Sequence, residues 1–176
     1  LAAWLLYRVR VGPASRIPSA PQAIRTLAPT MLGVLGASIV IGVLTTGSGP
    51  HAGDGGAARN GLNSELLQHF HSWPSYVFFG LTVLTAVLAR RAGSGPSDRR
   101  LRRALVGLLA VTFVQLGIGL FQARNGLPEL AVGIHLVLAA VLVALTVTVW
   151  LSTREDPESV PAAGQDPRQQ TATINS

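Results

Sequence analysis

The chain has 176 residues, of which 48% are hydrophobic and only 12% charged, and it carries no cysteine. That composition leaves little polar surface for a soluble domain, and the missing thiols exclude disulfides and any thiolate ligand for iron or zinc. The net charge of +6 comes from arginines gathered between apolar segments. Topology explains it, and no nucleic-acid partner is expected without a basic stripe interleaved with aromatics.

Along the chain, the apolar stretch Leu1–Tyr7 passes directly into the basic segment Arg8–Arg25. It is too short to span a bilayer, and a signal peptide would carry its charges ahead of the apolar run. Residues 1–26 are therefore expected to be the end of a preceding span and its loop. Four segments then approach or exceed the about 20 apolar residues that a bilayer core of about 30 Å requires. They are Leu27–Thr46, Leu66–Ala89, Ala104–Ala123 and Leu130–Leu151. Joined by short loops rich in Gly, Pro and Arg, they predict an all-α fold, a polytopic transmembrane four-helix bundle over residues 27–151. Residues 152–176 are polar and aperiodic, and are expected to form a disordered tail.

Arginine placement predicts the orientation. All 14 basic residues are Arg, and only Arg59 and Arg124 fall in the loops after the first and third spans. The others, among them Arg25, Arg90, Arg91, Arg99, Arg100, Arg102 and Arg103, flank the opposite ends. By the positive-inside rule the Arg-rich loops and the C-terminus are cytoplasmic.

Two histidines lie inside the spans. An ionisable side chain in a membrane helix is costly and tends to mark function. His71 and His135 each stand about five residues in from the same end of their segments, roughly 8 Å below the outer face at about 1.5 Å rise per residue. On antiparallel neighbours they would face each other, as a bis-imidazole haem iron requires. His69, two residues before His71, points about 200° away from it, so only one of the two can face the bundle seam. For His135 the plainer reading is an imidazole bonded across to Ser, Thr or Gln. Gln115 is expected to act as glue between helices, and Gly33, Gly36, Gly42, Gly117 and Gly119 as small positions that let helices approach. Pro74 removes a donor near His71 and predicts a kink there.

The loop after the first complete span, Thr46-Gly47-Ser48-Gly49-Pro50-His51-Ala52-Gly53-Asp54, is glycine-rich and able to approach a planar ligand. Together with Gln68-His69-Phe70-His71, Gln115-Leu116-Gly117-Ile118-Gly119, Leu127-Pro128-Glu129-Leu130 and Gly133-Ile134-His135, it resembles the C-terminal half of the haem A synthase family. The resemblance runs from about Arg25 to Leu151. It implies the second half of an eight-span, pseudo-symmetric protein of the bacterial plasma membrane. That family oxidises a methyl group of haem O to a formyl group through a hydroxylated intermediate.

The resemblance also implies a b-type haem, a bis-histidine iron site with His71 and His135 as ligands; the family's ligand stands three residues after a Gln, so Gln68 selects His71 over His69. The catalytic residues would lie on the preceding half. Here Glu65 and Glu129 sit only at helix starts, where a carboxylate suits the helix dipole. Arg59 and Arg124, the two outer cations, are expected to hold the haem propionates, Arg59 the more strongly. Further implied partners are haem O as substrate, membrane lipid, haem O synthase or oxidase assembly proteins, and a second copy of the chain. Many relatives carry a cysteine pair in the outer loop between the fifth and sixth spans, and this sequence has none. Two other classes stay open: a b-type electron-transfer cytochrome, and a transporter or assembly scaffold without iron.

Overall fold

The computed structural model describes residues 17–18, 20–48, 61–92 and 96–155. Leu1–Tyr7, residues 49–60 of the glycine-rich loop with His51, Asp54 and Arg59, and the tail beyond 155 lie outside them, whereas Thr46, Gly47 and Ser48, expected in that loop, form the last turn of the first helix. Four helices carry the fold: α1 (Gln22–Ser48), α2 (Ser64–Arg91), α3 (Pro96–Arg124) and α4 (Glu129–Leu151). Each is long and apolar enough to cross a membrane. The protein is an all-α, membrane-embedded four-helix bundle. Its helices overrun the apolar segments: the 28 residues of α2 extend about 42 Å, beyond a core of about 30 Å. The excess in α2 and α3 is Arg-bearing turns such as Arg90–Arg91 and Arg99–Arg103.

Local chemistry sets the helix ends. Asn63 caps α2, its side chain accepting from the Leu66 N–H at 2.9 Å, which satisfies one of the orphan donors of the first turn. Between α3 and α4 the chain reverses through Gly126 and Leu127, both with positive φ. Asn125 Nδ2 donates to the Phe121 carbonyl at 2.7 Å and closes the helix end. At the Arg-rich end, β1 (Ile17–Pro18) pairs antiparallel with β2 (Arg154–Glu155). The Ala20 N–H donates to the Thr153 carbonyl at 3.2 Å, which holds the described start of the expected tail against the chain before α1.

The helices pack in sequence order, and α1 closes the ring on α4. Their inward residues recur at steps of three and four, as in a left-handed bundle. In α1 the inward series is Ile24, Ala28, Met31, Leu35, Ser38, Gly42 and Thr45; in α2 it is His71, Ser75, Phe78, Thr82, Thr85 and Ala89. In α3 it is Leu101, Leu105, Leu108, Thr112, Gln115, Gly119 and Gln122; in α4, Ala131, His135, Leu138, Leu142, Thr146 and Val149.

The buried apolar core occupies the Arg-rich half of the bundle. Ile24, Met31, Leu105, Leu108 and Val149 are closed off there, and the hydroxyls of Thr82, Thr112 and Thr146 bond the carbonyls one turn back in their own helices. Toward the other end the inward positions become Gly42, His71, Ser75, Gly119, His135 and Leu138, all half-buried. Outward faces carry Val43, Phe70, Trp73, Phe113 and Leu130, each more than half exposed. Apolar surface on that scale needs lipid around it.

Candidate functional site

His71 and His135 both stand on the inward series, in phase with the core residues below them. His69 is exposed on the outside of α2. The expectation of antiparallel neighbours is corrected: α2 and α4 stand across the ring from each other and run in the same direction, so similar offsets from their starts put the two imidazoles at one depth. Their ring centroids are 6.2 Å apart with an interplanar angle of 66°.

A glycine backs each ring. A Cβ added at Gly42 would come within 2.9 Å of His71 Cε1, and one at Gly119 within 3.3 Å of His135 Cε1. The expectation that five glycines bring helices together is corrected here. Gly33, Gly36 and Gly117 are exposed and have nothing within 4 Å of where a Cβ would stand. Only Gly42 and Gly119 receive a neighbour, and that neighbour is an imidazole.

Because Gly42 has no side chain, the His71 ring lies over α1 and reaches the turn below. Its Nδ1 is 2.9 Å from the Ser38 carbonyl. A carbonyl only accepts, so Nδ1 carries the proton and Nε2 keeps its lone pair, the tautomer a metal ligand needs. The Ser38 and Ser75 hydroxyls bond each other at 2.9 Å, and Ser75 Oγ donates to the His71 carbonyl at 3.0 Å. These bonds fix α1 against α2 beside the ring. α2 continues as a helix through Pro74.

The second hairpin is tied differently. Gln115 Nε2 donates to the His135 carbonyl at 3.0 Å, and one heptad on, Gln122 Nε2 donates to the Ala131 carbonyl at 2.7 Å. The expected role of Gln115 as interhelical glue is present in this form. His135 Nδ1 and Gln115 Oε1, by contrast, are buried without hydrogen-bond partners.

The donor set limits what the site can hold. Among the described residues no group of three or more His, Cys, Asp or Glu side chains comes together, so these residues do not by themselves supply the four ligands of a tetrahedral metal. A haem needs only two from the protein, since the porphyrin supplies four nitrogens. The ring centroids of His71 and His135 lie 6.2 Å apart, a spacing at which both imidazoles could reach one iron between them. Arg124 ends α3 at the same end of the bundle and is exposed, while Arg59 falls outside the described residues.

No family model, curated protein or solved structure matches the chain.

Sequence reasoning passed over Ser38 and Ser75, and assigned Gly42 and Gly119 to helix packing. The signal was available as small and polar residues recurring every three or four positions inside otherwise apolar helices.

Proposed function

We propose that this chain is the cofactor-binding half of a haem A synthase, in which His71 and His135 would hold the iron of a b-type haem. The observation that carries the proposal is the pair of imidazoles at one depth of a membrane bundle, 6.2 Å apart and each backed by a glycine. Such a haem supplies one-electron transfer, which the oxidation of a porphyrin methyl to a formyl requires of the whole enzyme. The Ser38 carbonyl orients His71 and leaves its Nε2 free to bind. Gly42 and Gly119 seat the rings, and the close-packed Arg-rich half keeps water from reaching the pair from below. In this proposal the Arg-rich ends face the cytoplasm of a bacterium and the histidines lie toward the outer face of its plasma membrane. The residues that attack haem O are expected on the preceding half.

A reduced-minus-oxidised spectrum of the purified protein tests the proposal. A b-type band, with conversion of haem O by the full-length protein, is the expected result. A band without conversion favours a b-type electron-transfer cytochrome. No band in protein produced with haem available sinks both.

The propionate role makes a separate prediction. A propionate left unpaired in a partly dry site loses a charge-assisted hydrogen bond, so Arg59→Gln is expected to weaken haem retention about tenfold and Arg124→Gln less. Haem retained after gel filtration measures it. Wild-type retention in both variants and in the double variant would leave neither arginine with that role.

A further inference from the structure

Gln115 is bound to His135 and leaves half of its amide unused. Its Nε2 donates to the His135 carbonyl, and that carbonyl could not accept from Oε1, so the amide's orientation is fixed. Oε1 and His135 Nδ1 are the buried side-chain polar atoms left without a partner among the described residues. Gln115 is only 9% exposed. An unpaired buried donor or acceptor carries its full desolvation penalty. Here two such atoms sit on residues that already touch.

The first hairpin shows what is missing. α1–α2 and α3–α4 are variants of one pattern. With Gly42 set against Gly119, Leu32 and Ile41 fall on Leu109 and Ile118; with His71 set against His135, Glu65, Leu81 and Thr82 fall on Glu129, Leu145 and Thr146. In this register Ser38 stands opposite Gln115. Ser38 gives His71 Nδ1 its acceptor. The corresponding bond to His135 is absent, and the side chain at the corresponding position ends in a free acceptor.

We propose that Gln115 positions His135, its Oε1 accepting the Nδ1–H through one ordered water. One water placed between two unmet partners, accepting from one and donating to the other, satisfies both. The two imidazoles are then held unequally. His71 is fixed by a backbone carbonyl that no substitution alters, whereas the basicity of His135 depends on the side chain at 115. Partners of this kind set the tautomer, orientation and electron donation of a ligating histidine.

The consequence for the iron rests on the haem-ligand reading, and the experiment separates the two. In the haem-loaded full-length protein, Gln115→Leu is expected to weaken haem affinity by roughly tenfold or more and to raise the midpoint potential. Gln115→Glu keeps an acceptor, a stronger one, and is expected to lower the potential. Gln122→Leu removes only the clamp on Ala131 and leaves the potential at the wild-type value, which separates positioning from helix packing. Wild-type potential and affinity in Gln115→Leu would overturn the inference, as they would if His135 Nδ1 used the Gln115 backbone carbonyl instead. If the wild-type protein holds no haem, the ligand reading fails by itself. Nitrogen NMR of the imidazoles in haem-free protein then decides about Gln115: an Nδ1–H tautomer of His135 that is lost in Gln115→Leu supports the water bridge, and an unchanged tautomer overturns it.

Discussion

Replacing either His71 or His135 by alanine is expected to abolish the low-spin b-type spectrum, whereas His69→Ala leaves it unchanged. The two rings share one depth and one seam, 6.2 Å apart, and His69 projects from the outer surface of α2. An iron that loses one axial imidazole becomes five-coordinate and open to water, so spin state and affinity change together. Among the described residues beside the rings, Gly42, Gly119 and Leu138 bring no donor side chain, and Ser38 and Ser75 are already bonded to each other. Added imidazole is expected to restore part of the low-spin band in each alanine variant, because the vacated space has the shape of the ring. Optical and paramagnetic resonance spectra of the three variants measure this. A low-spin spectrum that survived in His71→Ala and vanished in His69→Ala would reverse the assignment. A wild-type protein without any haem band would reduce the pair to an edge-to-face packing contact.

The bundle itself was legible because lipid imposes a simple rule. Segments free of charge and about 20 residues long must be helices, and the arginines mark where those segments stop. What the apolar pattern does not carry is rotation. In water a helix shows its buried face as a hydrophobic stripe, but here the outward faces are as apolar as the core: Val43, Phe113 and Leu130 face outward while Ile24 and Leu105 lie inside. The stripe that marks the seam is instead one of small and polar residues, Ser38, Gly42 and Thr45 in α1 and Thr112, Gln115, Gly119 and Gln122 in α3. These positions let backbones approach and supply the interhelical bonds that hold membrane helices together. Counting glycines without that phase put Gly33, Gly36 and Gly117 on the interface, although all three are exposed. The partners of the rings were not legible either. The Ser38 carbonyl is a backbone atom, and no side-chain pattern announces which turn of a neighbouring helix an imidazole will meet.

Gly42→Ala is expected to weaken haem binding at least tenfold and to broaden or shift the low-spin spectrum. The added Cβ would stand 2.9 Å from His71 Cε1 and 3.2 Å from Nδ1, closer than such atoms come, so the ring or the helices must move. The ring cannot withdraw and keep its bond to the Ser38 carbonyl. The Ser38–Ser75 bond opposes separation of α1 from α2 at that level. Overpacking of this kind costs about 1–3 kcal/mol, and it falls on the orientation of the ligand. Gly119→Ala is expected to be milder, because its Cβ would meet His135 Cε1 at 3.3 Å and that ring has no direct Nδ1 bond to give up. Gly33→Ala and Gly36→Ala meet open space and remove a flexible residue from a helix. They are expected to leave haem binding unchanged and to stabilise α1 by about 0.5–1 kcal/mol. Haem titration and thermal unfolding of the four variants in detergent establish the order. A wild-type spectrum and affinity in Gly42→Ala would mean that His71 does not bind from its seat over Gly42, and the site would have to be sought elsewhere in the bundle.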